Sequence, residues 1–258
     1  MLSRKIASYL QSARIQRGLN LRGLPLIPKS LSPGAPHNRE AYNEFVQWIH
    51  RLQISEVKQV VDVGANHGDF SQATGALFPA ARVLLVEPLP TLQAELQRRC
   101  AERGERWQLA TCALSSERGT ATLHVDPAHD AIGSLAGFSE EYLRANPGSK
   151  VSRTFECEVR TLDDLCRELA IPKIDLLKID VEGFEFEVLA GGGTMLQSAE
   201  ALIMEVSLVR RPGDADVLER MLQLMRERGL RLVELLPSYF ASDRPWLPLE
   251  FNVLARRG

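Results

Sequence analysis

A glycine-containing loop at residues 62–68 is the first part of the sequence with the composition of a ligand site. It follows a short apolar run and precedes a helical pattern, and it contains Asp62, Gly64, Ala65, Asn66, His67 and Gly68. Gly64 can adopt backbone conformations that a Cβ would forbid, which lets the chain turn tightly against a ligand. Free N–H groups at a helix start favour an anionic or carboxylate-bearing ligand. Taken alone, the loop fits a ligand-free strand-to-helix turn equally well.

An acidic residue, Glu87, lies 23 residues after Gly64 and directly follows the apolar run at residues 83–86. A carboxylate at the end of the second strand of an α/β unit can accept hydrogen bonds from both hydroxyls of a ribose. A surface carboxylate before Pro88 is the alternative interpretation. Together, the loop and the acid predict a nucleoside-binding site.

The spacing of the glycines indicates which kind of nucleoside the site would bind. A dinucleotide fingerprint, G-x-G-x-x-G, requires glycine where this chain has Asn66, and the missing glycine disfavours a pyrophosphate. The chain also lacks the G-x-x-x-x-G-K-[ST] phosphate loop. S-adenosylmethionine, a nucleoside derivative without phosphates, therefore fits better. An NAD(P)-linked oxidoreductase stays open as the alternative because it would share the loop and Glu87.

A second acidic segment, residues 178–189, begins at the end of another apolar run. We expect Asp180 at the end of the central fourth strand, beside Gly64. It could orient ligands and act as a general base, or it could bind a divalent cation together with Glu182. A purely structural alternative makes Asp180 the N-cap of a helix over residues 182–189, with Glu182 and Glu185 complementing the helix dipole. The strand-end position favours a functional role for Asp180, and a cation is not favoured.

Strand and helix patterns alternate along residues 38–258, which predicts a mostly parallel sheet with helices on both faces. The expected strands are residues 59–63, 82–86, 107–113, 174–179, 201–206, 230–236 and 251–255. The expected helices are residues 38–52, 70–78, 91–103, 162–169, 182–189 and 215–228. Two further segments, 120–125 and 155–161, are predicted to be antiparallel, so an inserted lid or hairpin region is expected at about 114–162. Ligands bind beyond the carboxyl ends of such strands, where Gly64, Glu87 and Asp180 fall.

The length of 258 residues, with 45% hydrophobic and 25% charged residues, suits one α/β domain. Residues 1–39 contain seven Lys or Arg and no acid, whereas the whole chain has a net charge of -2. Residues 1–37 are thus predicted to be a basic arm, a helix followed by a Pro/Gly linker. Packing on the acidic body or in a homodimer is our default expectation for the arm. Membrane-surface contact by residues 1–22 and a transit peptide remain open.

Other function classes are excluded by what the sequence lacks. The acidic body has no interleaved basic and aromatic residues, so nucleic-acid binding is not expected. The four cysteines form no Cys-x-x-Cys pair and have no zinc-ligand spacing, so no metal residue is assigned. No run reaches the roughly 20 apolar residues of a membrane span, and the N-terminus has no apolar signal core. These features predict a cytoplasmic protein.

The two motifs together resemble the FkbM family of methyltransferases, with weaker similarity around Glu87, Ala113 and Asp163 over residues 55–210. The resemblance implies a Rossmann-like class I methyltransferase fold, with a seven-stranded sheet and a reversed final strand. It also implies S-adenosylmethionine as donor and a small-molecule or sugar hydroxyl as acceptor. The cofactor-binding residues that follow are Asp62, with Gly64, Ala65, Asn66 and Gly68 at the methionine part, Glu87 at the ribose, Cys112 and Ala113 near the adenine, and Asp180. Asp180 and Glu182 would face the reacting centre.

O-methylation requires a proton acceptor because an alcohol is a poor nucleophile until its proton leaves. The candidate bases are Asp180, His67, His129, Asp130 and Glu205, of which we expect Asp180 and His67, with Glu182, to be catalytic. Ser134 lies in the inserted stretch, which is expected either to form the acceptor pocket or to be a surface loop. A non-catalytic relative of the same fold, serving as a binding subunit, is the second alternative function.

Overall fold

The computed structural model describes residues 36–126, 133–135, 137, 153–208, 217–240, 246 and 248–258. Residues 1–35, which contain the predicted helix and all but the last two residues of the basic arm, lie outside these residues, as do the candidate bases His129 and Asp130. Within the described part of the chain, no helix has the length and apolar character needed to cross a bilayer.

A seven-stranded sheet forms the centre of the molecule. Its strands are β1 (Gln59–Val63), β2 (Arg82–Val86), β3 (Trp107–Ala110), β8 (Leu176–Ile179), β9 (Ala201–Ser207), β10 (Leu230–Phe240) and β11 (Pro248–Arg257). They are ordered β10-β11-β9-β8-β1-β2-β3. β11 runs antiparallel to both β9 and β10, while the pairs from β9 to β3 are all parallel. The predicted parallel sheet with a reversed final strand is confirmed.

Helices cover both faces of this sheet because both faces carry buried apolar side chains. The helices are α1 (Arg39–Arg51), α2 (Asp69–Leu77), α3 (Pro90–Arg103), α4 (Leu162–Glu168), α5 (Glu185–Ala190), α6 (Gly193–Ser198) and α7 (Val217–Glu227). One apolar cluster joins Val61 and Leu177 to residues of α4 to α7. On the other face α2 contacts β1 and β2, and α1 packs on α2. Asn38 caps α1, accepting from the N–H groups of Glu40 and Ala41.

The inserted region contains a separate sheet of four strands. These are β4 (Ala113–Leu114), β5 (Gly119–Val125), β6 (Gly133–Ser134) and β7 (Arg153–Arg160), ordered β4-β7-β5-β6. β5 pairs antiparallel with β7 over the full length of β5, as expected from the sequence. This sheet begins directly after β3, so the predicted strand over residues 107–113 is wrong in extent. β3 ends at Ala110, and Ala113 belongs to β4, where it pairs with Val159 of β7.

The segment after β8 also differs from the prediction. The expected helix over residues 182–189 begins only at Glu185 and ends at Ala190, so Asp180 is not its N-cap. Glu182 and Gly183 have φ values of 57° and 101°, which a right-handed helix cannot accommodate. A second short helix, α6, begins at Gly193, three residues after the end of α5.

Candidate functional site

The loop after β1 turns sharply because three of its residues adopt positive φ. Gly64, Asn66 and Gly68 have φ values of 71°, 50° and 79°, a region that glycine and asparagine tolerate better than other residues. The N–H groups of Gly64 and Ala65 both donate to the carbonyl of Val86, at 3.0 and 3.1 Å. A Cβ on Gly64 would lie 1.8 Å from the carbonyl oxygen of Asp180. Close approach between the ends of β1 and β8 therefore requires glycine at this position.

Glu87, at the end of β2, is held by backbone donors on both carboxylate oxygens. Oε2 accepts from Asn66 N at 2.8 Å, and Oε1 accepts from Leu89 N at 2.9 Å. Burial raises the pKa of Glu87, and these two hydrogen bonds oppose that rise because they favour the charged form. The carboxylate is thus fixed beside the loop, and each oxygen keeps a further lone pair for a ligand hydroxyl.

Asp180 follows β8, where its N–H donates to the carbonyl of Val63 at 3.1 Å. Its Oδ2 lies 3.3 Å from Nζ of Lys178, a residue that sequence analysis did not assign to the site. The same ammonium donates to the carbonyl of Gly64 at 2.6 Å and lies 3.5 Å from Oδ1 of Asp62. Burial alone would lower the pKa of Lys178, but the carboxylates of Asp180 and Asp62 outweigh it and the pKa is raised. The signal in the sequence was a lysine within the apolar run of β8.

Asp62 lies beneath the loop rather than in the pocket. Its side chain is fully buried, and Oδ2 accepts from the hydroxyl of Ser71 at 2.7 Å. Burial raises the pKa of Asp62, with the charge of Lys178 opposing the rise. Asp62 therefore contacts Ser71 and Lys178, below the loop. The cofactor contact that the resemblance implies for Asp62 stays a prediction.

The loop between β8 and α5 is held by Glu185, which is only 3% exposed. Its Oε1 accepts from the N–H groups of Val181 and Gly183, at 3.1 and 3.0 Å. Burial raises the pKa of Glu185 to about 7, although these backbone donors act against the rise. The hydroxyl of Ser134, on β6, donates to the carbonyl of Glu182 at 2.7 Å. The inserted sheet is thereby fastened to the acidic loop.

Three carboxylates meet beside this loop. Asp180, Glu182 and Glu205 each place an oxygen within 4.8 Å of the others. Burial raises the pKa of Glu205 well above its usual value, and the neighbouring charges of Asp180 and Glu250 add to the effect. The cluster brings two of the candidate bases, Asp180 and Glu205, together. Carboxylate oxygens are also ligands suited to a divalent cation, so the cluster could hold one.

A pocket opens beyond the carboxyl ends of β1, β2 and β8, which is where ligands bind in sheets of this kind. Seven residues that the sequence assigned to the site line it: Gly64, Asn66, Glu87, Cys112, Ala113, Asp180 and Glu182. The inserted region contributes Leu123, Gly133 and Leu135 to the same pocket. The structure thus gathers both motifs and part of the insertion around one cavity.

His67, Ala65 and Gly68 do not belong to the lining of this pocket. Nδ1 of His67 lies 2.8 Å from a carboxylate oxygen of Glu95 on α3. Its ring stacks on that of His37, with the centroids 3.5 Å apart. The position of His67 therefore does not support its expected catalytic role, because Nδ1 is paired with Glu95 and the residue does not line the cavity, and that role stays a prediction.

Comparison with known proteins identifies one matching family. Residues 62–232 match the family described as the Methyltransferase FkbM domain. The chain is 28% identical over 204 residues to the 2-O-methyltransferase NoeI of Sinorhizobium fredii, covering 74% of this chain and 77% of that protein. It is 26% identical over 201 residues to the AMB antimetabolite synthetase AmbE of Pseudomonas aeruginosa. That match covers 67% of this chain but only 9% of AmbE.

Solved structures that match the chain are less similar to it in sequence than these relatives are. The precorrin-6y C5,15-methyltransferase of Geobacter metallireducens is 11% identical, with a TM-score of 0.45, covering 90% of this chain and 92% of that one. The order and direction of the seven strands identify the fold more directly than this score does.

Proposed function

Because the chain belongs to the FkbM methyltransferase family, we propose that it transfers a methyl group from S-adenosylmethionine to a hydroxyl oxygen of a small molecule or sugar. The observation that carries the proposal is the meeting of Glu87 and Asp180 in one pocket. They follow β2 and β8, the two neighbours of β1, and the loop after β1 lies between them. The acid that we propose to bind the ribose and a carboxylate able to accept a proton thus face the same cavity.

The residues present fit the donor. Gly64 presents bare backbone to the pocket, and Glu87 has lone pairs left for the two ribose hydroxyls after accepting from Asn66 and Leu89. Cys112 and Ala113 add small, buried side chains at the place proposed for the adenine. Asn66 and Gly64 would hold the methionine part.

The donor supplies a methyl group already activated on a sulfonium sulfur. The chain then has to orient the two reactants, which can contribute ~7–11 kcal/mol to catalysis. Asp180 would accept the proton of the acceptor hydroxyl or fix that hydroxyl for attack. Glu205, held near Asp180, is the second candidate for this role because burial leaves it with a raised pKa. The insertion residues Leu123, Gly133 and Leu135 would form part of the acceptor wall.

A hydroxyl acceptor is supported by the relative NoeI, whose name describes a 2-O-methyltransferase. AmbE, of which this chain matches a small part, shows that similar sequence also occurs within a much larger synthetase. The proposed acceptor is therefore a class of compounds, hydroxyl-bearing small molecules and sugars, rather than one compound.

The proposal is tested by incubating the purified chain with tritium-labelled S-adenosylmethionine and a panel of methyl glycosides and small alcohols. Label in at least one acceptor and formation of S-adenosylhomocysteine are expected. Binding of NAD(P) in place of S-adenosylmethionine would contradict the proposal and support the oxidoreductase alternative. Donor binding without label transfer to any hydroxyl in the panel would instead favour a non-catalytic binding subunit.

A further inference from the structure

Lys178 lies at the junction of the two strands that carry the site. It is the register partner of Asp62 across the β1–β8 pair, and Asp180 follows it by two residues, just beyond the end of β8. Gly64 follows Asp62 by the same interval. The ammonium group, on a residue only 3% exposed, therefore lies among three groups that belong to the ends of both strands.

Three distances describe how the ammonium group of Lys178 contacts its neighbours. The shortest contact, 2.6 Å, is the hydrogen bond from Nζ to the carbonyl of Gly64, which heads the loop proposed to hold the methionine part of the donor. The carboxylates of Asp180 and Asp62 lie at 3.3 and 3.5 Å. A lysine needed only to neutralise the buried Asp62 would require neither the Gly64 contact nor the Asp180 contact.

We propose that Lys178 is a positioning residue that fastens the donor loop at Gly64 to the carboxylate of Asp180. Lys178 does not belong to the pocket lining, so it acts through these two groups rather than on a ligand. The inference rests on the proposed function, because it assigns Lys178 to the amino-acid end of the donor. Toward the adenosine end, the charge of Lys178 also interacts with Glu87, but more weakly than with Asp180 and Asp62.

The two ends of the donor can be probed separately by calorimetry. S-adenosylhomocysteine has the amino-acid part, whereas 5′-methylthioadenosine lacks it. Lys178→Met should weaken S-adenosylhomocysteine binding by at least ~10-fold, the effect of losing a hydrogen bond from a charged group. Binding of 5′-methylthioadenosine should change by less than ~2-fold, well under the tenfold that 1.4 kcal/mol represents. Equal loss of both ligands, or loss of neither, would overturn the inference.

Lys178→Met leaves the buried carboxylate of Asp62 without its cation, so the variant could lose ligand binding simply because it is less stable. A second variant distinguishes this effect from a loss of positioning. The double variant Asp62→Asn/Lys178→Met removes both charges and should recover thermal stability. It should not recover S-adenosylhomocysteine binding, and recovery of binding would show a merely structural role. Lys58→Met, at an exposed lysine before β1, is the matched control and should bind both ligands as the wild type does. A wild-type chain that does not bind S-adenosylhomocysteine would overturn the proposed function as well.

Discussion

The carbonyl oxygen of Asp180 lies 1.8 Å from the point where a Cβ on Gly64 would stand. No side chain can occupy that space, so the backbone at the end of β8 contacts the backbone of the loop after β1. The proposed donor loop and the proposed reacting carboxylate are consequently neighbours in space, although 116 residues separate them in the chain. This contact makes the glycine of the first motif and the aspartate of the second parts of one site.

Gly64→Ala should therefore displace the end of β8 and abolish donor binding. Gly104→Ala is the matched control, because Gly104 also has a positive φ, of 62°, but nothing lies within 4 Å of its added Cβ. The control should cost only backbone strain, about 1–3 kcal/mol for a backbone conformation that is almost exclusive to glycine, and keep donor binding. Calorimetry with S-adenosylmethionine and thermal unfolding measure the two effects. Equal behaviour of the two variants would show that the contact with Asp180 is unimportant.

Glu87→Gln should weaken S-adenosylmethionine binding by about 10–100-fold, as expected for losing a charge-assisted hydrogen bond worth about 1.5–3 kcal/mol. The amide can present only one oxygen, so its NH₂ group would also face one of the backbone donors, Asn66 N or Leu89 N. Glu102→Gln, at a partly exposed residue of α3, serves as control. Unchanged donor affinity in Glu87→Gln would show that Glu87 does not bind the donor.

Asp180→Asn should keep S-adenosylmethionine binding and lower the rate of methyl transfer by about 10²–10⁴-fold, the usual contribution of a general base. Glu205→Gln, measured in parallel with labelled donor, separates the two candidate bases. Loss of transfer in Glu205→Gln with little change in Asp180→Asn would assign proton removal to Glu205 instead. Normal transfer in both variants would mean that neither carboxylate is the base.

Glu185→Gln should change how stability depends on pH. The pKa of Glu185 is raised to about 7 from 4.5, so the stability that its protonated form contributes is lost as the pH rises from 4.5 through 7. Glutamine keeps an oxygen for the N–H groups of Val181 and Gly183 but carries no charge. Urea unfolding should show the variant more stable than the wild type by about 1–3 kcal/mol at pH 8, with little difference at pH 4. Glu219→Gln, on the exposed face of α7, should not alter the pH dependence.

The carboxylate cluster of Asp180, Glu182 and Glu205 gives a prediction about metals. We expect methyl transfer to persist after dialysis against EDTA, because the oriented, activated donor and a carboxylate base suffice for the reaction. Loss of transfer that Mg²⁺ or Mn²⁺ restores would contradict this expectation and make the cluster a cation site.

Much of the fold and part of the site could be predicted from the sequence because parallel strands place their carboxyl ends at one edge. That rule alone brought Gly64, Glu87 and Asp180 together, whatever the details of the loops. The seven-stranded sheet and its reversed final strand followed from the resemblance, and the structure confirms them.

The remaining features depend on contacts that a residue pattern does not display. Lys178 looked like an ordinary member of a strand, because its role arises from its register with Asp62 across two distant segments. The late start of α5 arises from Glu185, which accepts from two backbone N–H groups of the preceding loop. His67 was predicted to be catalytic as a candidate base in the first loop, but its pairing with Glu95 depends on the packing of α3.

The most direct test of the central claim is calorimetric titration of the wild-type chain with S-adenosylmethionine, S-adenosylhomocysteine, NAD⁺ and NADP⁺. We expect one site per chain for the first two ligands and no binding of the two dinucleotides. Binding of NAD⁺ or NADP⁺ without binding of S-adenosylmethionine would contradict the account.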